Sequence, residues 1–304
     1  MSDILDYIQV FKGGTISNDE IYIKKHKINK VIVFDIDETI GSFYELMLLW
    51  NCFEQFNVSL NQEIFNDLLD LFPEFLRYGI ITIFEYLLHK KRIHDCYKIY
   101  IYTNNIYSPE FPLRIKNYFD YKLNTVDFFD KIICAFKVND QIIEQSRTTN
   151  KKTYNDFIRC SILPQNTEIC FIDDTYYDKM KHDKVYYIQS KPYEHGLSYN
   201  IITDRFFNSN IFTKNVLFLL QNQENRNNII KYMQNYFIFF GKKNCIKDNI
   251  ETNIDILVTQ KMMSYIKDFF EMKKNNNNKT TKNKKHYKKL NNNSTRKKSL
   301  KKYI

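Results

Sequence analysis

Apolar residues along this chain fall into two rhythms, and the alternation between them outlines a fold. Short runs at Val31–Phe34, Tyr97–Tyr102, Glu168–Ile172 and Val185–Gln189 are rich in β-branched and aromatic residues and have the length of strands. Between them, apolar positions recur at helical spacing. Phe43–Phe56 places them at 43, 46, 47, 50 and 53, Asn61–Phe72 forms a second amphipathic stretch that Pro73 ends, and Ile80–His89 a third. Phe111–Phe119 and Lys152–Cys160 read as further helices, the second broken by Pro164. Lys131–Val138 and Gln141–Glu144 read as a hairpin around Asn139-Asp140. Strands that alternate with helices build βαβ units, so the expected class is α/β with a central, mostly parallel sheet.

The flanks follow other patterns. Residues 1–29 are mixed and polar, broken at Gly13-Gly14, and read as a loosely attached lead-in. From Asn210 to Met272 the pattern is mostly helical and carries no cluster of reactive groups. Residues 273–304 are Lys/Asn-rich low complexity and are expected to be disordered. The expected organisation is therefore a lead-in (1–29), an α/β domain (30–205), a helical extension (206–272) and a basic tail (273–304).

Charge changes the picture once it is localised. The chain of 304 residues carries a net charge of +10, yet residues 273–304 hold thirteen Lys/Arg and no acid. Taking those thirteen from 45 leaves 32 basic against 35 acidic residues, so the body is mildly acidic. The tail fits a solvated extension and equally an arm that binds nucleic acid or another polyanion, or directs the protein to the nucleus. The apolar runs Val216–Leu220 and Tyr236–Phe240 are too short to span a bilayer, so no membrane is expected as a partner. The start of the chain lacks the pattern of a signal peptide. Cys52, Cys96, Cys134, Cys160, Cys170 and Cys245 form no CxxC pair, which argues against a zinc ribbon or redox motif. Reduced thiols in an intracellular, cytoplasmic protein are the expectation.

Candidate chemistry gathers where strands end. Val31–Phe34 runs into Asp35 and Asp37, with a hydroxyl at Thr39. The strand at 97–102 ends in Thr103-Asn104-Asn105, and that at 168–172 in Asp173-Asp174. In a parallel sheet these ends share one edge, the edge where α/β proteins bind ligands. Converging carboxylates suit a hard cation such as Mg²⁺, and one of them can serve as nucleophile and another as proton donor. Taken singly, each acidic pair would pass for a turn after a strand. His89, His94, His182 and His195 have no metal-binding spacing and read as surface or helix-end residues, while Tyr193 and His195 follow a strand and could line the site. GxGxxG, GxxxxGK[ST] and GxSxG are absent, which argues against a dinucleotide site, a P-loop and a nucleophile elbow.

With these motifs in this order, the chain resembles the haloacid dehalogenase (HAD) superfamily of Mg²⁺-dependent phosphohydrolases over roughly residues 30–205. Asp35-Ile-Asp-Glu-Thr-Ile40 is most similar to the DxDET opening of the branch that includes the small C-terminal-domain phosphatases and NLI-interacting-factor-like proteins. The segment from Glu85 to Thr103 is similar to that branch's second motif, residues 131–144 lie where it inserts a small β element, and Lys151 or Lys152 precedes the acidic fourth motif. The resemblance implies a Rossmann-like HAD core and hydrolysis of phosphomonoesters through an aspartyl-phosphate. It implies Asp35 as nucleophile, Asp37 as general acid/base, Thr103 as hydrogen-bond donor to the phosphoryl group and Lys152 as the neutralising cation. Lys152 is preferred to Lys151 because it directly precedes Thr153 and the following helix. The Mg²⁺ shell would be Asp35, the carbonyl of Asp37, and Asp173 or Asp174. The branch commonly has Asp-Asn in its fourth motif where this chain has Asp173-Asp174, and that leaves the two open. A phosphoprotein is the substrate the branch suggests. A nucleic-acid end-processing phosphatase, and a catalytically idle binding module on the same fold, are the alternatives.

Overall fold

A computed structural model of the chain describes residues 4–17, 28–55, 60–108, 110–215, 223–240 and 246–272. The basic tail, the run Val216–Leu220 and Cys245 lie outside them. The strands are β1 (Ile8–Lys12), β2 (Asn29–Phe34), β3 (Lys98–Tyr102), β4 (Lys131–Ile133), β5 (Lys137–Val138), β6 (Gln141–Ile142), β7 (Thr167–Asp173) and β8 (Val185–Ser190). The helices are α1 (Gly14–Ser17), α2 (Tyr44–Gln55), α3 (Gln62–Leu71), α4 (Ile80–Arg92), α5 (Phe111–Lys122), α6 (Tyr154–Ser161), α7 (Tyr199–Phe207), α8 (Asn210–Asn215), α9 (Gln223–Phe240) and α10 (Asn249–Glu271). The α/β class and the mostly parallel sheet are as expected. Six strands lie in the order β1-β8-β7-β2-β3-β4, and all neighbours are parallel except β1 and β8.

Strand residues alternate between two buried faces because side chains in a strand point to opposite sides in turn. Ile32, Phe34, Ile99, Ile101, Cys170, Ile172, Tyr186 and Ile188 pack under the helices α2–α5, α7 and α10. Val31, Val33, Tyr100, Tyr102, Ile169, Phe171, Val185 and Tyr187 face the other way, onto Phe157 and Cys160 of α6 and onto Met180. Burial on both faces explains why these strands read as continuous apolar runs.

Three expectations need correction. The lead-in is not loosely attached throughout: Ile8–Lys12 pairs antiparallel with β8, from Ile8 opposite Ser190 to Lys12 opposite Tyr186. Gly13 follows because a Cβ there would lie 2.3 Å from the carbonyl oxygens of His182 and Asp183. The stretch expected as one hairpin is divided, since β4 joins the main sheet beside β3 while only β5 and β6 pair across the turn. Asn139 and Asp140 there have φ of 48° and 63°, the left-handed backbone that such tight turns demand. Finally, α10 is not an appended extension. Val258, Met262, Ile266, Phe269 and Phe270 are buried in the same core as the strands, and the Lys30 ammonium donates to the Phe269 carbonyl. An Asp248–Glu251 capping box starts this helix.

No described helix is long and apolar enough to cross a membrane. Cys52, Cys96, Cys134, Cys160 and Cys170 are free thiols.

Candidate functional site

The chain leaves β2 to one side for β3 and later to the other side for β7, so β2 marks the point where the strand order reverses. Crevices at such a point, outside the carboxyl ends of the strands, hold ligands. Phe34 is in register with Ile101 of β3 and Ile172 of β7, which brings Asp35, Tyr102 and Asp173 level at that edge. The Asp35 amide donates to the Ile172 carbonyl at 3.0 Å and fixes where the nucleophile candidate begins.

Asp35, Asp173 and Asp174 are all buried, and each offers a carboxylate oxygen within 4.8 Å of the others. Lys152 lies among them. Its ammonium donates to Asp173 Oδ2 at 2.7 Å and also to Asp35 Oδ1. Lys152 is 1% exposed, its ammonium near the rings of Tyr177, Tyr102 and Phe171. It is delivered by the start of α6, where buried Thr153 caps the helix by accepting from the Asp156 amide at 3.1 Å. Lys151, one residue earlier, is exposed. Burial opposes the charge on Lys152, but Asp173 and Asp35 outweigh it and hold the ammonium's pKa above the usual lysine value. Burial also pushes Asp173 well above the carboxylate range, only partly offset by Lys152. For Asp174, burial and then the charge of Asp35 raise the pKa to about 6. Three buried carboxyl groups share one lysine, their raised pKa values marking a shortage of positive charge, and an all-oxygen donor set of this kind suits a divalent hard cation.

Asp37 lies apart from that triad. Asn105 Nδ2 donates to its Oδ2 at 2.8 Å, while Asn105 Oδ1 accepts from the Tyr107 amide at 3.1 Å. Burial first, and then neighbouring Asp35, raise the Asp37 pKa to about 7. The turn after Asp37 is tightly held: Glu38 adopts φ 60° and its amide donates to the Gly41 carbonyl at 2.7 Å. The Thr39 hydroxyl donates to Asp174 Oδ1 at 2.9 Å and accepts from the Asp174 amide at 3.0 Å, so the turn after β2 and the end of β7 are locked together.

Arg77, 1% exposed, stands behind this turn. Its Nε donates to the Thr39 carbonyl at 2.6 Å, and its Nη2 donates to the carbonyls of Glu38 at 2.7 Å and Lys191 at 2.9 Å. A second buried arginine, Arg147, donates from Nη1 to the carbonyls of Thr103 at 3.1 Å and Cys134 at 2.8 Å, and from Nη2 to Asn104 Oδ1 at 2.8 Å. Thr103 itself is buried at the end of β3, where its Oγ1 accepts from the Asn105 amide at 3.0 Å.

Of the residues singled out in the sequence, Asp35, Lys152, Asp173 and Asp174 meet in one cluster, and both acids of the last pair belong to it. Asp37 and Thr103 are linked to each other through Asn105, beside the cluster. His195 is a correction: it is buried, not at a surface. Its Nδ1 accepts from the Leu197 amide at 3.1 Å, so Nε2 carries the hydrogen and donates to Glu45 Oε2 at 2.9 Å. Tyr193 does not line the cluster either. Its hydroxyl donates to the Glu74 carbonyl at 2.8 Å and its amide to the Glu38 carbonyl at 2.8 Å, bracing the turn from behind. Arg77, Arg147 and Asn105 have no sequence signature that separates them from solvated residues. No protein-family model matches this chain, and no curated protein or solved structure matches it.

The raised Asp37 pKa has a stability consequence. Its folded value, about 7, exceeds its unfolded value of 3.8, so the folded state prefers the protonated acid and loses stability as pH rises between the two. Removing the charge should therefore help the metal-free protein. In chelator-treated protein at pH 8, Asp37→Asn is expected to be more stable than wild type by about 2–4 kcal/mol. The gap should close toward pH 4. Urea unfolding across this range checks it, and an equal difference at pH 8 and pH 4 would count against a half-buried, proton-holding Asp37.

Proposed function

We propose that this protein is a Mg²⁺-dependent phosphomonoester hydrolase of the haloacid dehalogenase type, working through an aspartyl-phosphate. The observation that carries this reading is the buried clamp of Lys152 on Asp35 and Asp173, with Asp174 in the same cluster and Asp37 two residues beyond. A lone acidic turn has no need of a buried lysine that neutralises two carboxylates.

Asp35, Asp173 and Asp174, with the main-chain carbonyl of Asp37, would hold the cation. Bound there, Mg²⁺ supplies positive charge to a phosphoryl group whose transition state spreads charge over its oxygens. The remaining steps belong to the chain. A carboxylate oxygen of Asp35 attacks phosphorus, and the bond from phosphorus to the ester oxygen breaks. Asp37, protonated near neutral pH, gives its proton to the leaving oxygen. As a carboxylate it then takes a proton from water, whose oxygen attacks phosphorus and releases phosphate and the free Asp35 carboxylate. Lys152 lowers the repulsion between Asp35 and an anionic substrate, and Thr103 can donate its hydroxyl hydrogen to a phosphoryl oxygen. Asn105, by donating to Oδ2 of Asp37, leaves Oδ1 as the oxygen that carries the proton.

Turnover of nitrophenyl phosphate with and without Mg²⁺ tests the reading directly. No Mg²⁺-dependent turnover of this or any alkyl phosphate would overturn it. The proton-donor role has its own test. Asp37→Asn is expected to lose about 10²–10⁴ in turnover of an alkyl phosphate, and far less with nitrophenolate, a leaving group that needs no proton. Equal losses on both substrates would remove Asp37 from that role. Cation binding is checked by thermal unfolding. Mg²⁺ at a hundred times its dissociation constant stabilises a folded state by about 2.7 kcal/mol, and Asp174→Asn should reduce that shift.

A further inference from the structure

The helix farthest along the described chain reaches back to the turn that carries Thr39. Asp255 of α10 is fully buried, and both of its carboxylate oxygens are engaged. Oδ1 accepts from Lys191 Nζ at 2.9 Å, and Oδ2 accepts from Lys247 Nζ. Lys191 is also the residue whose carbonyl accepts from Arg77 Nη2, and the same Arg77 nitrogen holds the Glu38 carbonyl. A continuous set of contacts thus runs from α10 through Lys191 to Arg77, to Glu38 and Thr39, and through the Thr39 hydroxyl to Asp174.

Charge gives this path a physical logic. Among the described residues, Arg77 donates to carbonyls and has no hydrogen-bonded carboxylate, and its Nη1 finds no partner. The acids that favour its charge are Asp255 first and Asp174 second. Arg77, Lys191 and Lys247 together carry three positive charges against the one on Asp255. On the far side of the turn, the carboxyl groups of Asp35, Asp173 and Asp174 gather around the one ammonium of Lys152. An excess of cations thus backs a cluster rich in carboxyl groups, and the Glu38–Thr39 turn lies between. Asp255 keeps the cationic side together, since three buried or half-buried cations with no acid among them would repel one another and draw in water.

We propose that Asp255 is a positioning residue for the candidate site, holding Lys191 and Arg77 so that Thr39 presents Asp174 to the cation. This rests on the reading of the acidic triad as a Mg²⁺ site. It assigns a part in the chemistry to a helix that touches none of the reacting groups. Without the Asp255 charge, Lys191 is released, the Arg77 grip on Glu38 and Thr39 loosens, and Asp174 loses its fixed direction.

Asp255→Asn, Asp255→Glu and Asp248→Ala in the full-length chain test this. The last removes the cap of the same helix without touching the cluster, so it reports what weakening α10 alone does. Mg²⁺ binding is read by calorimetry and turnover of nitrophenyl phosphate by kcat and KM, both well below the unfolding temperature of each variant. Expected for Asp255→Asn are at least about a tenfold loss of Mg²⁺ affinity and a similar fall in kcat with KM little changed. Asp255→Glu should recover part of each, and Asp248→Ala should match wild type in both. If Asp255→Asn lowers the unfolding temperature but binds Mg²⁺ and turns over like wild type, Asp255 is structural only and the proposal fails. It fails also if Asp248→Ala reproduces the losses. A wild type that binds Mg²⁺ but hydrolyses nothing would sink the phosphatase reading alone, because the calorimetric comparison still tests Asp255.

Discussion

Asp35→Asn is expected to lose at least about a thousandfold in turnover while keeping its fold, the scale typical of removing a nucleophile. The amide nearly matches the carboxylate in shape, and its Oδ1 can still accept from Lys152, so packing at the end of β2 should survive. What it cannot do is attack phosphorus. Circular dichroism and urea unfolding establish the fold, and nitrophenyl phosphate turnover measures the loss. Beryllofluoride, which mimics a phosphoryl group on an aspartate, should protect wild type from proteolysis and not the variant. A variant that keeps more than a few per cent of the rate would move the nucleophile elsewhere, with Asp174 the next residue to test.

Lys152→Met carries the second large effect, and it falls on stability as well as rate. The ammonium is buried with Asp35 and Asp173. Removing one partner of a buried ion pair costs about 3–5 kcal/mol, mostly because the surviving charges stay buried without a counterion. Chemical denaturation of chelator-treated protein should show that loss, together with abolished turnover. Adding Asp173→Asn removes one stranded carboxylate and should recover part of the stability but none of the activity, so the two effects separate in a double-mutant cycle. A single variant within about 1 kcal/mol of wild type would mean that Lys152 is not the clamp the geometry describes.

The parts of the site that were legible share one property: each sits where a local pattern changes. Asp35 and Asp173 directly follow apolar strands, and Thr103 ends another, so strand ends alone point to them. The choice between Lys151 and Lys152 stays open in the sequence, which only favours Lys152 because it directly precedes Thr153 and an apolar-periodic helix; in the structure Lys152 is buried and Lys151 exposed. The open choice between Asp173 and Asp174 had no local answer. Both enter the cluster because Thr39, 135 residues earlier, orients the second. Arg77 and Asp255 were invisible for the same reason. Nothing in Phe75-Leu-Arg-Tyr78 or Asn253-Ile-Asp-Ile256 distinguishes a buried charge from a solvated one, since the partners that bury it are distant in the chain. Strand β1 was missed because a five-residue edge strand with mixed burial has little periodicity, and its partner lies some 180 residues on.

The joining of the two ends of the described fold has a consequence for how the protein is made. A ribosome releases β2, with Asp35 and Asp37, early, but β1 cannot pair until β8 has emerged, and Lys30 waits 239 residues for the Phe269 carbonyl. Contacts this far apart in sequence are slow to form, because a long loop must close before they return any stability. During synthesis, the apolar edge of β8 and the strand residues under α10 stand uncovered until α10 is complete, and such surfaces bind chaperones or aggregate. A nascent chain stalled before residue 249 is therefore expected to remain protease-sensitive at β1 and β8.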